Sequence, residues 1–252
     1  MLTVVKVGGA WLEAGGEAAA FNELAALSGE LVVVHGGGKE ISRWLERAGV
    51  PIEWVEGLRV TRGDGLQLTA MVLSGWVNKR VVEALTRAGR PAVGISGEDG
   101  NLLRAEPLDP DRFGEVGRIV SVDPGAPRAL IAAGYAPVIS PVSAGGDGGR
   151  PFNVNADEAA IHVARGLKAD RLLLLSDVPG VLSEGEVLVE VDEAAAERLA
   201  EGGVLEGGMR VKVGQALELA REGVEVRIGD EGLLSGAPGT RIRASASPTH
   251  RN

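Results

Sequence analysis

Two lysines and the glycine-rich turns beside them are the residues of this chain best suited to chemistry. The first lies in Val4-Val5-Lys6-Val7-Gly8-Gly9, where the apolar run 2–7 predicts a buried strand. An unpaired ammonium in such a strand is costly, so Lys6 is expected to meet an anion at the strand's end. Gly8 and Gly9 let backbone N–H groups approach an oxyanion, and a helix after them would turn its positive end toward it. The second lysine follows another glycine pair in Gly207-Gly208-Met209-Arg210-Val211-Lys212. A helix predicted over 209–221 puts Lys212 in its first turn, where the dipole disfavours a cation unless an anion lies between. The bland alternative is an exposed lysine on a surface helix. Read for chemistry, these residues describe a phosphate site. Gly36-Gly37-Gly38-Lys39 does not make it a P-loop, because Val33 and Glu40 stand where that motif needs Gly and Ser or Thr.

Other polar residues stand out by their surroundings. Arg59 sits in the short apolar segment Gly57-Leu58-Arg59-Val60-Thr61, and a guanidinium is the usual bidentate partner of a carboxylate. Taken alone, Arg59 reads more simply as a solvated charge at a strand edge. Asn153-Val154-Asn155-Ala156-Asp157 leads into a helix predicted over 156–167. One such residue would be a cap; two asparagines and an aspartate exceed what a cap requires. His35 closes a strand and reads as a packing or loop-geometry residue, His162 lies mid-helix and reads as a packing or surface residue, and neither has a nucleophile partner. The chain holds three histidines and no cysteine. Disulfides and thiolate metal sites are therefore excluded, and no protein-held metal is expected.

The elements that position these residues alternate along the chain. Apolar strands are predicted over 2–7, 31–34, 91–95, 136–139, 171–175 and 224–228. Helices are predicted from Ile41 through Ala48, over 67–85, 126–133, 156–167, 193–201 and 209–221. A hairpin involving 187–191 and a closing strand at 239–242 complete the pattern. Alternation of this kind predicts an α/β fold, a three-layer αβα sandwich around a mainly parallel sheet. Two lobes sharing that sheet are expected, 1–170 and 171–252, with the tail from about 244 disordered. Length, 44% hydrophobic residues and 24% charged residues suit a folded enzyme of 252 residues. The net charge of -9 argues against nucleic acid or an anionic membrane as main partner. No leader or long apolar run opens the sequence, so the expected location is cytoplasmic.

With these residues in order, the chain resembles the amino acid kinase family and, within it, the acetylglutamate kinases. The resemblance rests on Lys6-Val7-Gly8-Gly9, the runs 34–38 and 57–61, Gly75-Trp76-Val77-Asn78-Lys79, Ser96-Gly97-Glu98-Asp99-Gly100, and the runs 153–157, 175–180 and 207–212. It implies a carbamate kinase-like fold whose first lobe binds N-acetyl-L-glutamate and whose second binds ATP. It implies Lys6 and Lys212 as stabilisers of the transferring phosphoryl group, with Asp157 orienting both. Gly37, Gly38, Arg59, Asn153 and Asn155 would contact the acid, Arg59 at its α-carboxylate. Gly8, Gly9, Ser176, Asp177, Val178, Gly180, Leu182, Val204, Leu205, Glu206, Gly208 and Met209 would surround the nucleotide. Mg2+ would be held mainly by the phosphates. The expected reaction is phosphorylation of the γ-carboxylate of N-acetyl-L-glutamate in arginine biosynthesis. The alternatives are a kinase for carrier-bound 2-aminoadipate or glutamate and, in a different class, a non-catalytic amino-acid or nucleotide sensor. The expected assembly is a homodimer through the first lobe. The arginine-regulated hexamer is not expected, since the first strand begins too early to leave room for the family's additional N-terminal helix.

Overall fold

The computed structural model describes residues 1–8, 18–146 and 149–244. Gly9, the stretch after it and the tail from 245 lie outside the described residues. Strand β1 (Leu2–Val7) leads by way of α1 (Ala18–Ala26) to β2 (Glu30–His35) and α2 (Gly38–Arg47). A small hairpin of β3 (Trp54–Val55) and β4 (Leu58–Arg59) precedes α3 (Asp64–Ala70), a π-helical stretch Met71–Val77 and α4 (Asn78–Arg87). Then come β5 (Ala92–Gly97), β6 (Leu103–Pro107), the short α5 (Pro110–Phe113), β7 (Gly117–Val122), α6 (Gly125–Ala132) and β8 (Ala136–Gly145). Next are β9 (Phe152–Asn153), α7 (Ala156–Leu167), β10 (Arg171–Leu175) and the hairpin of β11 (Leu182–Ser183) and β12 (Glu186–Val187). The described chain closes with β13 (Glu190–Val191), α8 (Glu193–Glu201), α9 (Gly207–Arg221), β14 (Glu225–Gly229) and β15 (Thr240–Ile242).

Eleven strands form one sheet in the order β13-β15-β14-β10-β1-β2-β8-β6-β7, with β5 and β9 also paired to β8. Its centre is parallel from β14 to β8, and antiparallel pairs occur toward the margins. Side chains alternate across a strand, so β1 sends Val4 into one apolar layer and Val5 and Val7 into the other. The first layer is closed by α7 and α9, through residues such as Ile161, Val163, Val213 and Ala216. The second is closed by α1, α2 and the long helix that α3, the π-helical stretch and α4 make together (64–87), through Leu24, Ile41, Leu73, Val77 and Leu85. The three-layer sandwich is as the periodicity predicted. Strand β1 has β2 on one side and β10 on the other. The crossovers therefore diverge from it, the position where open α/β sheets leave a crevice at the strands' carboxyl ends.

Several elements differ from the sequence reading. The hairpin stops at Val187, and Glu190–Val191 instead forms the sheet's edge strand, parallel to β15. The strand at 240–242 therefore lies one place inside the edge. The pair β6 and β7 was not anticipated, because its register shift and half-polar composition hide the period of two. Helix α9 begins at Gly207, so Lys212 sits in its second turn and the dipole weighs less on it than the sequence suggested.

Two glycines test the packing. An ideal Cβ on Gly97 would lie 2.6 Å from the Val142 carbonyl oxygen and 2.9 Å from Leu103, whereas one on Gly214, inside α9, meets nothing within 4 Å. Gly97→Ala should cost about 1–3 kcal/mol by overpacking. Gly214→Ala should stabilise by about 0.5–1 kcal/mol through helix propensity. Equilibrium urea unfolding measures both; equal midpoints for the two variants would contradict this packing.

Candidate active site

The period of two puts Lys6 on the same face of β1 as Val4, which is the face covered by α7. Asn155 fixes where that helix starts, its Oδ1 accepting from the backbone N–H of Asp157 at 2.8 Å and of Glu158 at 3.4 Å. Asp157 thereby reaches the strand end. Lys6 Nζ stands 2.9 Å from Asp157 Oδ1, and Lys212 Nζ stands 3.1 Å from Oδ2. On α9 the inward positions Met209, Val213 and Ala216 bracket Lys212 at helical spacing and turn it the same way. All three charged side chains are largely buried, at 12%, 17% and 11% exposure for Lys6, Asp157 and Lys212. Burial by itself would raise the Asp157 pKa; the two ammoniums outweigh it and hold the carboxyl below its ordinary range. Lys6, Asp157 and Lys212 together carry a net charge of +1, a poised landing point for an anion.

Lys6, Gly8, Gly37, Gly38, Arg59, Asn153, Asn155 and Asp157 all line one cleft of about 260 Å³. Gly36, Trp54 and Leu73 line it as well. The bland reading of Arg59 is overturned: its side chain is buried, and burial lowers its pKa from the usual arginine value. Nη2 donates to the Gly38 carbonyl at 2.8 Å and to Ser42 Oγ at 2.7 Å, while Nη1 is buried without a partner. Trp54 lies opposite Arg59 in the β3–β4 register, and the guanidinium stacks on its indole at 4.4 Å. A buried guanidinium with one free arm calls for an acceptor anion in the cleft. Asn153 Nδ2 donates to Thr61 Oγ1 at 3.0 Å, and Thr61 Oγ1 donates to the Arg59 carbonyl at 3.1 Å. The cap role that the sequence weighed against a binding role is filled by Asn155; Asn153 is held by Thr61 instead.

Trp54 and Thr61 escaped the sequence reading as site residues. The turn between β3 and β4 has positive φ at both Glu56 (51°) and Gly57 (77°), the type I′ pattern that usually shows as Asn-Gly. Glu-Gly is a weaker signal, so the hairpin that places Trp54 over Arg59 was not evident.

The residues expected around a nucleotide sit at the carboxyl end of β10 and the start of α9. Ser176 N–H donates to the Gly229 carbonyl at 2.7 Å and Ser176 Oγ to Asp177 at 3.3 Å. Val178 is half-buried there. Gly180 packs tightly against Thr240, whose hydroxyl accepts from the Val181 N–H at 2.8 Å. Leu182 and Val204 are exposed, Leu205 is buried in the core, and Glu206, Gly208 and Met209 open the helix that carries Lys212. Among the described residues no group of three His, Cys, Asp or Glu side chains could hold a metal ion. Asp157, the carboxylate in the cleft, already has an ammonium on each oxygen. No described helix is long and apolar enough to cross a membrane.

The family model "Amino acid kinase family" matches residues 1–230. An acetylglutamate kinase of Geobacillus stearothermophilus is 45% identical over 216 residues, covering 85% of this chain and 83% of its own. One from Chloroflexus aurantiacus is 45% identical over 234 residues, covering 90% and 91%. Among solved structures, smu.665 from Streptococcus mutans UA159 superposes with a TM-score of 0.85 at 30% identity, covering 97% and 99%.

His35 gives this end of the molecule a pH dependence. Its buried imidazole is pushed down to about 4, chiefly by desolvation and in part by Lys79, against the raising effect of its hydrogen bond to the Gly36 carbonyl. The unfolded chain takes up the proton near 6.5, the folded chain only near 4. His35 therefore contributes its full stability above about pH 6.5 and loses it as pH falls toward 4, a loss of about 3 kcal/mol. Unfolding free energies of wild type and His35→Gln measured between pH 7 and 4 should converge as pH falls. A constant difference would contradict the burial of a neutral imidazole.

Proposed function

We infer the reaction from the family and the cleft together: the chain belongs to the amino acid kinase family, and its reaction is the ATP-dependent phosphorylation of N-acetyl-L-glutamate on the γ-carboxylate, in arginine biosynthesis. The observation that carries this reading is the convergence of Lys6 and Lys212 on Asp157 beside a cleft that also holds Arg59 with one arm unpaired. In this reading the acid lies in the part built from residues 1–170 and ATP lies against 171–252.

A γ-carboxylate has an unperturbed pKa near ~4.3, so the nucleophile is ionised at neutral pH and needs no general base. One carboxylate oxygen forms a bond to the γ-phosphorus of ATP as the bond to the bridging oxygen breaks, and ADP leaves with that electron pair. The products are an acyl phosphate and ADP. What the protein supplies is position and charge. Arg59 Nη1 binds the α-carboxylate at one end of the acid, with Trp54 covering the guanidinium from water. Asn153, held by Thr61, contacts the acid's polar groups. Gly37 and Gly38, at the start of α2, offer N–H groups that a helix leaves without internal partners. Lys6 and Lys212 each keep one N–H on Asp157 and direct the remaining donors toward the migrating phosphoryl oxygens, with Gly8 alongside. Asp157 stays ionised, offsets the repulsion between the two ammoniums and prevents either from folding back into solvent. When bound, magnesium would be held mainly by the nucleotide phosphates and would neutralise part of their charge.

The same reading makes the protein a cytoplasmic homodimer joined through its first lobe. Supporting this, Met71 and Trp76 on the long helix are 67% and 50% exposed, and Trp76 meets Trp44 of α2 edge to face at 6.4 Å. Apolar side chains grouped on one outer face are the usual mark of a protein interface.

Lys6→Ala and Lys212→Ala should each lower kcat by roughly a hundredfold or more while leaving the thermal midpoint within a few degrees. Arg59→Ala should raise KM for N-acetyl-L-glutamate by roughly ten- to a hundredfold with KM for ATP unchanged, the loss of a charge-assisted contact. The assay is ADP release together with acyl phosphate trapped as the hydroxamate. Turnover on carrier-bound 2-aminoadipate but not on N-acetyl-L-glutamate would overturn the substrate, and a fully active Lys6→Ala or Lys212→Ala would overturn the mechanism.

A further inference from the structure

His35 and Asn78 lie outside the groups assigned a part in the reaction, yet both are fully buried and joined to the cleft by an unbroken chain of hydrogen bonds. By the alternation along β2, His35 faces the layer closed by the long helix, opposite to the face on which Lys6 meets α7. There Asn78, the first residue of α4 after the π-helical stretch, reaches it. The direction of every bond follows from obligate donors and acceptors. Lys79 Nζ can only donate, and it stands 3.1 Å from Asn78 Oδ1. The carbonyls of Val138 and Ile95 can only accept, and they stand 2.9 and 3.3 Å from Asn78 Nδ2. The amide is thereby oriented, and its Nδ2 lies 3.2 Å from His35 Nε2; an amide nitrogen cannot accept, so in that contact the ring nitrogen is the acceptor, sharing the two amide hydrogens with the carbonyls. The ring hydrogen is left on Nδ1, which donates to the Gly36 carbonyl at 3.0 Å. A neutral ring is required throughout, in keeping with the pKa of about 4.

The sheet has made room for this arrangement. An ideal Cβ on Gly94 of β5 would fall within bonding distance of the Asn78 amide. Gly94 is therefore a close-approach glycine that admits the Asn78 side chain.

We propose that His35 and Asn78 are positioning residues that lock the Gly36–Gly37 peptide with its carbonyl turned to the imidazole and the Gly37 N–H turned into the cleft. In a planar trans peptide the two groups point in opposite directions, and both glycines line the cleft. Gly36 is tied on its other side as well, its N–H donating to the Val7 carbonyl at 2.9 Å. The locked N–H is a fixed dipole for the charge that develops as phosphoryl transfer proceeds, a donor that costs no reorganisation at the moment of reaction. This role rests on the kinase reading above, whereas the ring's tautomer does not.

The test has two parts. Long-range proton–nitrogen NMR of 15N-labelled wild type should show one neutral histidine with its hydrogen on Nδ1 and a hydrogen-bonded, unprotonated Nε2. With three histidines in the chain, His35→Gln assigns the signal. Asn78→Ala should lose the signature of a hydrogen-bonded Nε2 and lower kcat on N-acetyl-L-glutamate by roughly ten- to a hundredfold, while KM for ATP changes less than about twofold. Asn78→Ser takes its place if the alanine variant does not fold. An Nε2–H tautomer or a charged ring in wild type at neutral pH would overturn the proposal, as would near wild-type kcat in a folded Asn78 variant. A wild type with the stated tautomer but no turnover on N-acetyl-L-glutamate would instead count against the assigned reaction.

Discussion

One buried carboxylate shared by two ammoniums is the constraint around which the molecule is arranged. Asp157 is tolerated in its position because an ammonium flanks each of its oxygens, and each lysine is tolerated there because of Asp157. The partners arrive from three separate elements: the central strand, the helix that covers one face of it, and a second helix beside that one. Any of the three displaced by a turn would leave a buried charge uncompensated. Fold and chemistry are tied at this point, because the same net positive cluster that stabilises the packed elements can attract phosphate.

The alternation of side chains along the central strands divides the labour between the two faces of the sheet. On β1 the even positions meet α7, so Lys6 joins Asp157. On β2 the odd positions meet the long helix, so His35 joins Asn78. A one-residue shift in either strand would exchange its faces and dismantle the network that strand carries. Between them the cleft opens at the carboxyl ends of β1 and β2, with glycine turns allowing main chain to approach whatever lies there.

Much of this was legible in the residues. The apolar runs at 2–7, 31–34 and 171–175 and the helical spacing at 156–167 and 193–201 mark elements that the structure contains nearly residue for residue. Lys6 and Arg59 drew attention because charge interrupts an apolar stretch, and the structure places both beside the cleft. Other elements left little trace. The β3–β4 turn uses Glu-Gly in place of a strong turn pair, and a π-helical stretch such as 71–77 has no periodic signature in so short a length. The edge strand at 190–191 is recruited by pairing with β15, a long-range contact that local pattern does not encode.

By themselves, the residues determined the alternation of strands and helices, the glycine turns at strand ends and the scarcity of histidine, because periodicity and composition are local properties. Only the tertiary structure decided which charges meet. That Lys6 and Lys212, 206 positions apart in number, share one carboxylate, that Arg59 keeps a free arm under Trp54, and that His35 is buried neutral against Asn78 all depend on strand register and helix placement, which bring together residues whose separation along the chain carries no trace of the contact.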